Sequence, residues 1–329
     1  RHIQLIALGG SIGTGLFIGS GQNLATGGPG SLMLGFIIVA VCVILTMVSL
    51  GELAAVLPVS GSFCTYSVRF LDPSWGFAMG WNYWLQWLAA FPLEATAVTI
   101  VISFWDKDEA VPRGVWVAIY LVLMMSIHLV GVRGYGEFEF LAALIKILGC
   151  IGFIIACVVI DVGGSPRGEY LGAHSWHHPP PFLNGFKGFC SVFITAAFAY
   201  SGTEIVGIAA AESSNPRKYI PRATKQVVGR VLLFYIISIL MITFIVPSDT
   251  KSLMGDSNDP SSSPFVIALQ QGQINALPQI FNAIILISAL SVGNASVYGG
   301  SRTLLSLAEL GMAPKIFTYV DPVSYTHLR

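Results

Sequence analysis

Apolar residues in this chain form long runs that are separated by short polar stretches. A helix that crosses a bilayer needs about 20 mostly apolar residues, and eight runs approach or exceed that length. The predicted spans are 3–23, 31–57, 76–104, 115–130, 138–160, 189–211, 231–246 and 277–307. The pattern predicts one all-α membrane domain over residues 1–321, with residues 322–329 as a non-native tail that follows abruptly on a helix end.

The composition indicates that lipid is the solvent of this chain. Of its 329 residues, 54% are hydrophobic and 10% are charged, whereas a soluble domain carries about 25% charged residues. The net charge is zero, which argues against a nucleic-acid partner. The five cysteines are scattered without the paired spacing of a metal site. We therefore expect membrane lipid around the protein, and neither a metal nor an organic cofactor.

The charges in the loops predict the orientation. Basic residues concentrate in every second loop, and such loops lie on the cytoplasmic side. They are Arg69, Arg133, Arg217, Lys218, Arg222, Lys225, Arg230 and Lys315, whereas the opposite loops carry Asp106, Asp108, Glu109, Asp249, Asp256 and Asp259. The N-terminus and the end of the eighth span are therefore both expected in the cytoplasm.

Two external stretches have ordinary explanations. The Ser-, Pro- and Asp-rich stretch 247–275 is expected to be a flexible connection. His174, His177 and His178 lie beside a run of prolines before the sixth span. A metal site is one reading of these histidines, and a proline-stiffened polar loop, which we favour, is the other.

The first span contains an unusual run, GGSIGTGLFIG, at residues 9–19. Each glycine inside a helix costs about 1 kcal/mol relative to alanine, so this stretch holds a helix weakly. A phosphate-binding loop would continue with Lys-Ser or Lys-Thr, which this run does not. Two readings remain, a glycine face for close helix packing and a break that exposes main-chain N–H groups to an anionic ligand. We favour the break, because non-helical backbone is tolerated in a membrane where it lines a cavity.

The sixth span carries a matching interruption. Its sequence FAYSGTE, at residues 198–204, places a glycine, hydroxyl groups and a carboxylate together in an otherwise apolar run. Interruptions in two such spans point to an inverted-repeat transporter with its site near the bilayer midplane. Free N–H groups at a helix start attract a carboxylate, and freed carbonyl groups accept from an ammonium. The pair therefore suits a zwitterion.

Four ionisable residues lie at membrane depth, where such residues are costly and functional by default. Lys146 is in the middle of the fifth span, and a lysine in apolar surroundings gives up its proton readily. It is either a proton carrier or a fixed cation that pairs with a carboxylate or with carbonyl groups. Glu204 is expected to contact substrate or to cap the broken helix. We expect a structural role along the access pathway for Glu94, and a hydrogen bond near the cytoplasmic end for Glu52.

Three stretches closely resemble the fungal amino-acid permeases, which belong to the amino acid–polyamine–organocation superfamily. They are RHIQLIALGGSIGTGLFIGSG from residue 1, FAYSGTEIVGIAAAESSNPRKYIPRA from residue 198 and NASVYGGSRTLLSLAELGMAPK from residue 294. The resemblance runs in order over residues 1–321, and the stretch FKGFCSVFITAAFAYSGTE is most similar to the general amino-acid permeases.

The resemblance implies a leucine-transporter-like fold of two inverted five-helix repeats (5+5), with discontinuous helices 1 and 6. The full protein would have twelve helices, and this chain would be truncated after helix 8. The resemblance also implies a secondary active transporter of the plasma membrane that takes up L-amino acids with protons by alternating access. No sodium site is expected, and the proton is the coupling ion.

The resemblance further implies which residues form the substrate site. In helix 1 they are Ser11, Ile12, Gly13, Thr14 and Gly15. In helix 6 they are Phe198, Ala199, Tyr200, Ser201, Gly202 and Thr203, with Glu204 beside them. Lys146 and Glu204 are the residues expected to take part in proton coupling.

Two alternatives to this function stay open. One is a carrier for basic amino acids or polyamines, because the carboxylate of Glu204 is compatible with a cationic substrate. The other is a sensor that binds amino acids without moving them. An enzyme is disfavoured, because neither a nucleophile–base pair nor a metal cluster is evident in the sequence. The sequence carries no signal for an oligomeric state.

Overall fold

The computed structural model describes residues 10–59, 61–106, 108, 110–129, 131–208, 216–253 and 263–319, and no strand occurs among them. The helices are α1 (Gly15–Val56), α2 (Phe63–Phe70), α3 (Pro73–Ile102), α4 (Arg113–Leu129), α5 (Val132–Asp161), α6 (His174–His177), α7 (Gly185–Tyr200), α8 (Ile205–Ile208), α9 (Pro216–Arg230), α10 (Ser238–Ile245), α11 (Pro264–Gln271) and α12 (Ala276–Glu309). One π-helical turn, Gly15–Gly19, opens α1, and another, Val231–Ile237, joins α9 to α10. Residues 3–9 of the first predicted span and the predicted tail 322–329 lie outside the described residues.

The described helices are long and apolar enough for a membrane. Five stretches reach spanning length and hydropathy, namely Gly15–Val56, Pro73–Ile102, Gly134–Asp161, Ile220–Ile245 and Ala276–Glu309, while α4 and α7 are shorter apolar helices. Large apolar side chains point away from the core, for example Leu45 (63% exposed), Met125 (68%) and Ile194 (79%). Exposing so much apolar area to water would cost about 25 cal/mol per Å². The chain is therefore an integral membrane protein of the all-α class.

The first two predicted spans form one helical element with a sharp turn inside it. Gly28 has φ +81° and ψ 169°, which interrupts α1 immediately before Pro29. A Cβ at Gly28 would lie 2.6 Å from the carbonyl oxygen of Pro181, so a side chain does not fit here. That oxygen accepts a hydrogen bond from the N–H of Gly30 at 2.8 Å. The turn is thereby tied to the loop in front of α7.

The sixth and seventh predicted spans, 189–211 and 231–246, differ from the helices of the structure. The sixth begins earlier, in α7, and its helix ends at Tyr200. The seventh is the second half of a helical stretch that starts with α9. Basic residues that were expected in a loop, such as Arg222 and Lys225, are therefore helical. The predicted span begins only at residue 231 because the sequence of α9, PRKYIPRATKQVVGR, is mostly polar.

The stretch 247–275 was expected to be a flexible connection, and this expectation is wrong for its second half. α11 packs into the core, where the ring of Phe265 is buried with its centroid 4.9 Å from that of Phe17. Ser263 Oγ donates a hydrogen bond of 2.7 Å to the carbonyl oxygen of Phe17. The run PFVIALQQ is too short to cross a membrane but apolar enough to be buried. Residues 254–262 of this stretch lie outside the described residues.

Two packed pairs of helices surround the centre of the protein. α12 lies along α3, and α7 lies along α1. α3 starts where Asp72 caps it, because Asp72 Oδ1 accepts a hydrogen bond of 2.7 Å from the N–H of Ser74. That hydrogen bond holds the pKa of the exposed Asp72 carboxyl below its usual value. The glycine-rich start of α1 faces both α7 and α12, and the candidate functional site lies there.

Candidate functional site

α1 begins in the middle of the glycine-rich run. Gly10 to Gly13 form turns and bends, and regular helix starts only with the π-helical turn at Gly15. The side chain of Thr14 makes no cap hydrogen bond at this end. The N–H groups of Leu16 and Phe17 both donate to the carbonyl oxygen of Gly13 at 3.2 Å, so the main-chain donors that this end can offer to a ligand precede Leu16. Tyr235 holds the bend in place by donating a hydrogen bond of 2.6 Å from its hydroxyl to the carbonyl oxygen of Ser11.

The helix of the sixth span is also interrupted. α7 ends at Tyr200, Gly202 has φ +92°, and helical structure resumes at Ile205. A Cβ on Gly202 would lie too close to the carbonyl oxygen of Gly10 for any side chain to fit. The two interruptions therefore touch each other through their main chains.

A small buried cavity lies between the two interruptions. It offers about 20 Å³ to the centre of a water molecule, which is room for about one water. The cavity is lined by Gly10, Ser11, Gly13, Thr14, Gly15, Trp87, Ala90, Glu94, Phe198, Ala199, Ser201 and Val292. Seven residues of the predicted site therefore line this cavity, namely Ser11, Gly13, Thr14, Gly15, Phe198, Ala199 and Ser201. α3 and α12 supply the remaining wall.

The other predicted residues surround the cavity without lining it. Ile12 is buried in the main apolar cluster. The ring of Tyr200 stacks on Tyr235 at 4.5 Å, and its hydroxyl donates to the carbonyl oxygen of Phe36 at 3.2 Å. Thr203 Oγ1 donates to the carbonyl oxygen of Tyr200 at 3.0 Å. These contacts fix the shape of the two interruptions.

Glu204 caps the interruption after α7. Its Oε2 accepts a hydrogen bond of 2.9 Å from the N–H of Gly202, and its Oε1 accepts one of 3.1 Å from the hydroxyl of Tyr83. Glu204 is partly buried beside the break and does not line the cavity. Of the two roles expected for Glu204, this geometry favours the cap.

Replacing Glu204 by alanine is expected to lower both thermal stability and uptake in the full-length permease, because two hydrogen bonds to a partly buried group are lost, each worth roughly 1–3 kcal/mol. The Glu204→Gln variant keeps an oxygen for the N–H of Gly202 and is expected to recover most of both. Thermal unfolding in detergent and uptake into vesicles measure the two effects. If the glutamine variant were as impaired as the alanine variant, the charge of Glu204 would matter more than its cap.

Glu94 was expected along the access pathway, and the structure places it in the cavity wall. It is fully buried, and its Oε1 accepts a hydrogen bond of 2.7 Å from Thr14 Oγ1. Its Oε2 is buried with no hydrogen-bond partner among the described residues. Trp87, Ala90 and Glu94 are spaced at i, i+3 and i+7, which is one face of a helix. This spacing is the signal that could have assigned all three to the site.

Two more ionisable residues lie buried on α5. Lys146 is fully buried, and the charges of Glu139 and Glu94 both act on it. Glu139 is also fully buried, and it was not among the residues predicted from the sequence. Its distance of seven residues from Lys146 places both on one helix face two turns apart, which could have revealed it. Glu52, by contrast, is exposed near the end of α1.

Two of the histidines before α7, His174 and His177, lie in the short helix α6 and not in a loop. His174 and His178 lie with their ring centroids 5.8 Å apart. Within the described part of the chain, no group of three or more His, Cys, Asp or Glu side chains is placed to hold a metal ion.

Interrupted membrane helices that meet at a small polar cavity are typical of membrane transport proteins. The chain belongs to the amino acid permease family, whose family model matches residues 2–322. The resemblance to fungal amino-acid permeases is therefore confirmed.

Several named relatives match nearly the whole chain. A general amino-acid permease of Candida albicans is 50% identical over 323 residues, which are 98% of this chain and 55% of the relative. A general amino-acid permease of Saccharomyces cerevisiae is 48% identical over 327 residues, covering 98% of this chain and 54% of the relative. Amino acid transporter 1 of Schizosaccharomyces pombe is 48% identical, with 98% and 55% covered. The chain spans about half the length of the curated relatives it matches, and these relatives are named as transporters rather than as enzymes.

Proposed function

We propose that this chain is part of a secondary active transporter that takes up L-amino acids with protons across the plasma membrane. The observation that carries the proposal is the main-chain contact of two interrupted helices, at Gly10 and Gly202, beside a buried polar cavity. We further propose the leucine-transporter-like fold of two inverted five-helix repeats, in which the interruptions before α1 and after α7 are those of helices 1 and 6.

The polar groups around the cavity suit a zwitterion. The uncapped start of α1 offers N–H groups and a partial positive charge to a carboxylate. The end of α7 offers carbonyl groups, and Glu94 Oε2 offers a further acceptor, to an ammonium. Neither contact depends on the side chain of the amino acid, which supports a broad range of amino-acid substrates.

The size of the cavity supports alternating access. A space that holds about one water is too small for an amino acid, so substrate binding requires a second, more open conformation. The charge pattern of the loops supports an orientation with the N-terminus in the cytoplasm. Lys146 is the proposed proton carrier, because it is fully buried and interacts electrostatically with Glu94 in the cavity wall.

One observation favours a second candidate, a carrier for basic amino acids or polyamines. The carboxylate in the cavity wall, Glu94, would attract the additional positive charge of such a substrate.

A competition experiment separates the proposals. The full-length permease is reconstituted into vesicles, and uptake of labelled alanine is measured with and without an inward proton gradient. We expect the gradient to drive accumulation, and we expect alanine, glutamate and lysine to compete while spermidine does not. Competition by lysine and spermidine alone would favour the cationic carrier, and saturable binding without flux would favour a sensor.

A further inference from the structure

A second buried carboxylate, Glu139, lies outside the cavity on α5. It is fully buried within a membrane-spanning helix. Its two oxygens accept hydrogen bonds from α12, one of 2.8 Å from Ser291 Oγ to Oε2 and one of 2.8 Å from Asn294 Nδ2 to Oε1. A carboxylate at this depth is costly, and a neutral side chain could join the two helices at a lower cost. Glu139 therefore calls for a role beyond helix packing.

Glu139 and Lys146 are both fully buried and lie seven residues apart on one face of α5. The charge of Lys146 acts on Glu139 and on Glu94, and Glu94 accepts the hydrogen bond from Thr14 at the cavity. Three buried ionisable residues thus lead from the cavity wall on α3, through the middle of α5, to the contact between α5 and α12.

Other titratable groups lie close to the contact between Glu139 and Asn294. His128 of α4 lies within hydrogen-bonding reach of the main chain of Asn294. Its ring is stacked with Tyr135 of α5 at 6.2 Å, and Tyr135 is stacked on Tyr298 of α12 at 4.7 Å. Among the described residues, Lys146 is the charged side chain that acts on Glu139, and His128, Tyr135 and Tyr298 are the titratable groups nearby.

The side chains around Glu139 can supply hydrogen-bond partners for both its ionised and its protonated form. As a carboxylate it accepts from Ser291 and Asn294, as the structure has it. Asn294 Oδ1 is buried without a hydrogen-bond partner among the described residues. Rotation of the Asn294 amide by a half turn would place this oxygen toward Glu139, where it would accept from a protonated carboxyl group. A carboxylate that only anchored α5 to α12 would stay ionised and would not need an acceptor for a proton.

We propose that Glu139 is a second proton-binding residue of the transport cycle, which takes the proton from Lys146 and passes it toward the start of α5. In this step the ammonium of Lys146 loses one proton and becomes an amine, and the carboxylate of Glu139 gains that proton and becomes neutral. Glu139 lies about 10 Å along the helix from Val132, the first residue of α5. In the proposed orientation that end is cytoplasmic, so the proton leaves between α4, α5 and α12, apart from the substrate. The proposal rests on the proposed proton-coupled uptake.

The test uses the Glu139→Gln variant of the full-length permease in vesicles. Glutamine has the same shape and can hydrogen-bond with Ser291 and Asn294, but it cannot carry a proton. We expect uptake driven by an inward proton gradient to be lost, while exchange of labelled for unlabelled alanine at equal pH continues at the wild-type rate. Glu137→Gln is the matched control, since Glu137 is two residues earlier on α5 and exposed. It is expected to keep both activities.

A second variant keeps the proposal testable if the glutamine variant does not assemble. Ser291→Ala leaves the carboxyl group in place but removes one donor to its charged form, which favours the protonated form. We expect its gradient-driven uptake to reach half its maximum at a higher pH than in the wild type. An unchanged pH profile would count against the proposal.

The outcomes distinguish this proposal from the proposed function. If the wild type shows no gradient-driven uptake, proton coupling itself fails. If the wild type is coupled and Glu139→Gln is equally coupled, Glu139 is not a proton-binding residue, although the proposed function stands. If Glu139→Gln loses exchange together with gradient-driven uptake, Glu139 is a structural anchor and the proposal is overturned.

Discussion

Replacing Gly13 by valine is expected to weaken amino-acid binding and uptake strongly. A Cβ at this position would lie 2.7 Å from Val292 Cγ2 and 3.7 Å from Glu94 Oε1, and the remaining methyl groups would enter the cavity. Overpacking of this kind costs roughly 1–3 kcal/mol, or about 5- to 150-fold in affinity. Binding of labelled alanine to the purified full-length permease and uptake into vesicles measure the effect.

The control for this prediction is the same substitution at Gly152. That glycine lies on the exposed face of α5, and a Cβ there would meet nothing within 4 Å. Gly152→Val is expected to bind and transport as the wild type does. Undiminished alanine uptake by Gly13→Val would contradict the assignment of the site to the start of α1.

Replacing Lys146 by methionine is expected to abolish uptake driven by a proton gradient and to leave exchange at equal pH. Methionine fills a similar volume in the buried site on α5 but carries no proton. Because Lys146 is fully buried and its charge acts on Glu94 and Glu139, its loss removes the proposed link between the proton and the cavity. Uptake of labelled alanine with and without the gradient separates the two activities.

Lys187→Met serves as the matched control, since Lys187 is exposed near the start of α7. It is expected to retain gradient-driven uptake. If Lys146→Met kept its full dependence on the proton gradient, Lys146 would be the fixed cation of the alternative reading. If it lost binding as well, a structural role would explain the result.

The membrane helices could be predicted from the sequence because lipid demands long apolar runs. The same rule could not find α9, which is mostly polar, or α11, which is apolar but only eight residues long. Both helices are stabilised by contacts with distant parts of the chain, such as that of Phe265 with Phe17. Local hydropathy along the sequence carries no information about such long-range contacts.

The part of the site that lies on the first and sixth spans could also be predicted, because glycines mark weak helix in both. The wall formed by Trp87, Glu94 and Val292 could not be, since it depends on how α3 and α12 pack against α1. Glu139 was missed for a different reason. The donors to its carboxylate lie on α12, and the sequence does not show that α12 packs against α5. The sequence signal for Glu139 is its position two helical turns before Lys146.

The contact between α11 and the start of α1 has a consequence for the route of the substrate. Phe17, Phe153, Phe265 and Phe281 form one aromatic layer, with ring centroids between 4.5 and 5.7 Å apart. In the proposed orientation Phe17 lies on the external side of the cavity residue Gly13, about one helical turn further along the chain. The four phenylalanine rings of this layer fill space and carry no charge. An amino acid that passed this layer would have to displace aromatic rings, and it would meet no charge on these four side chains, whatever the charge of its own side chain.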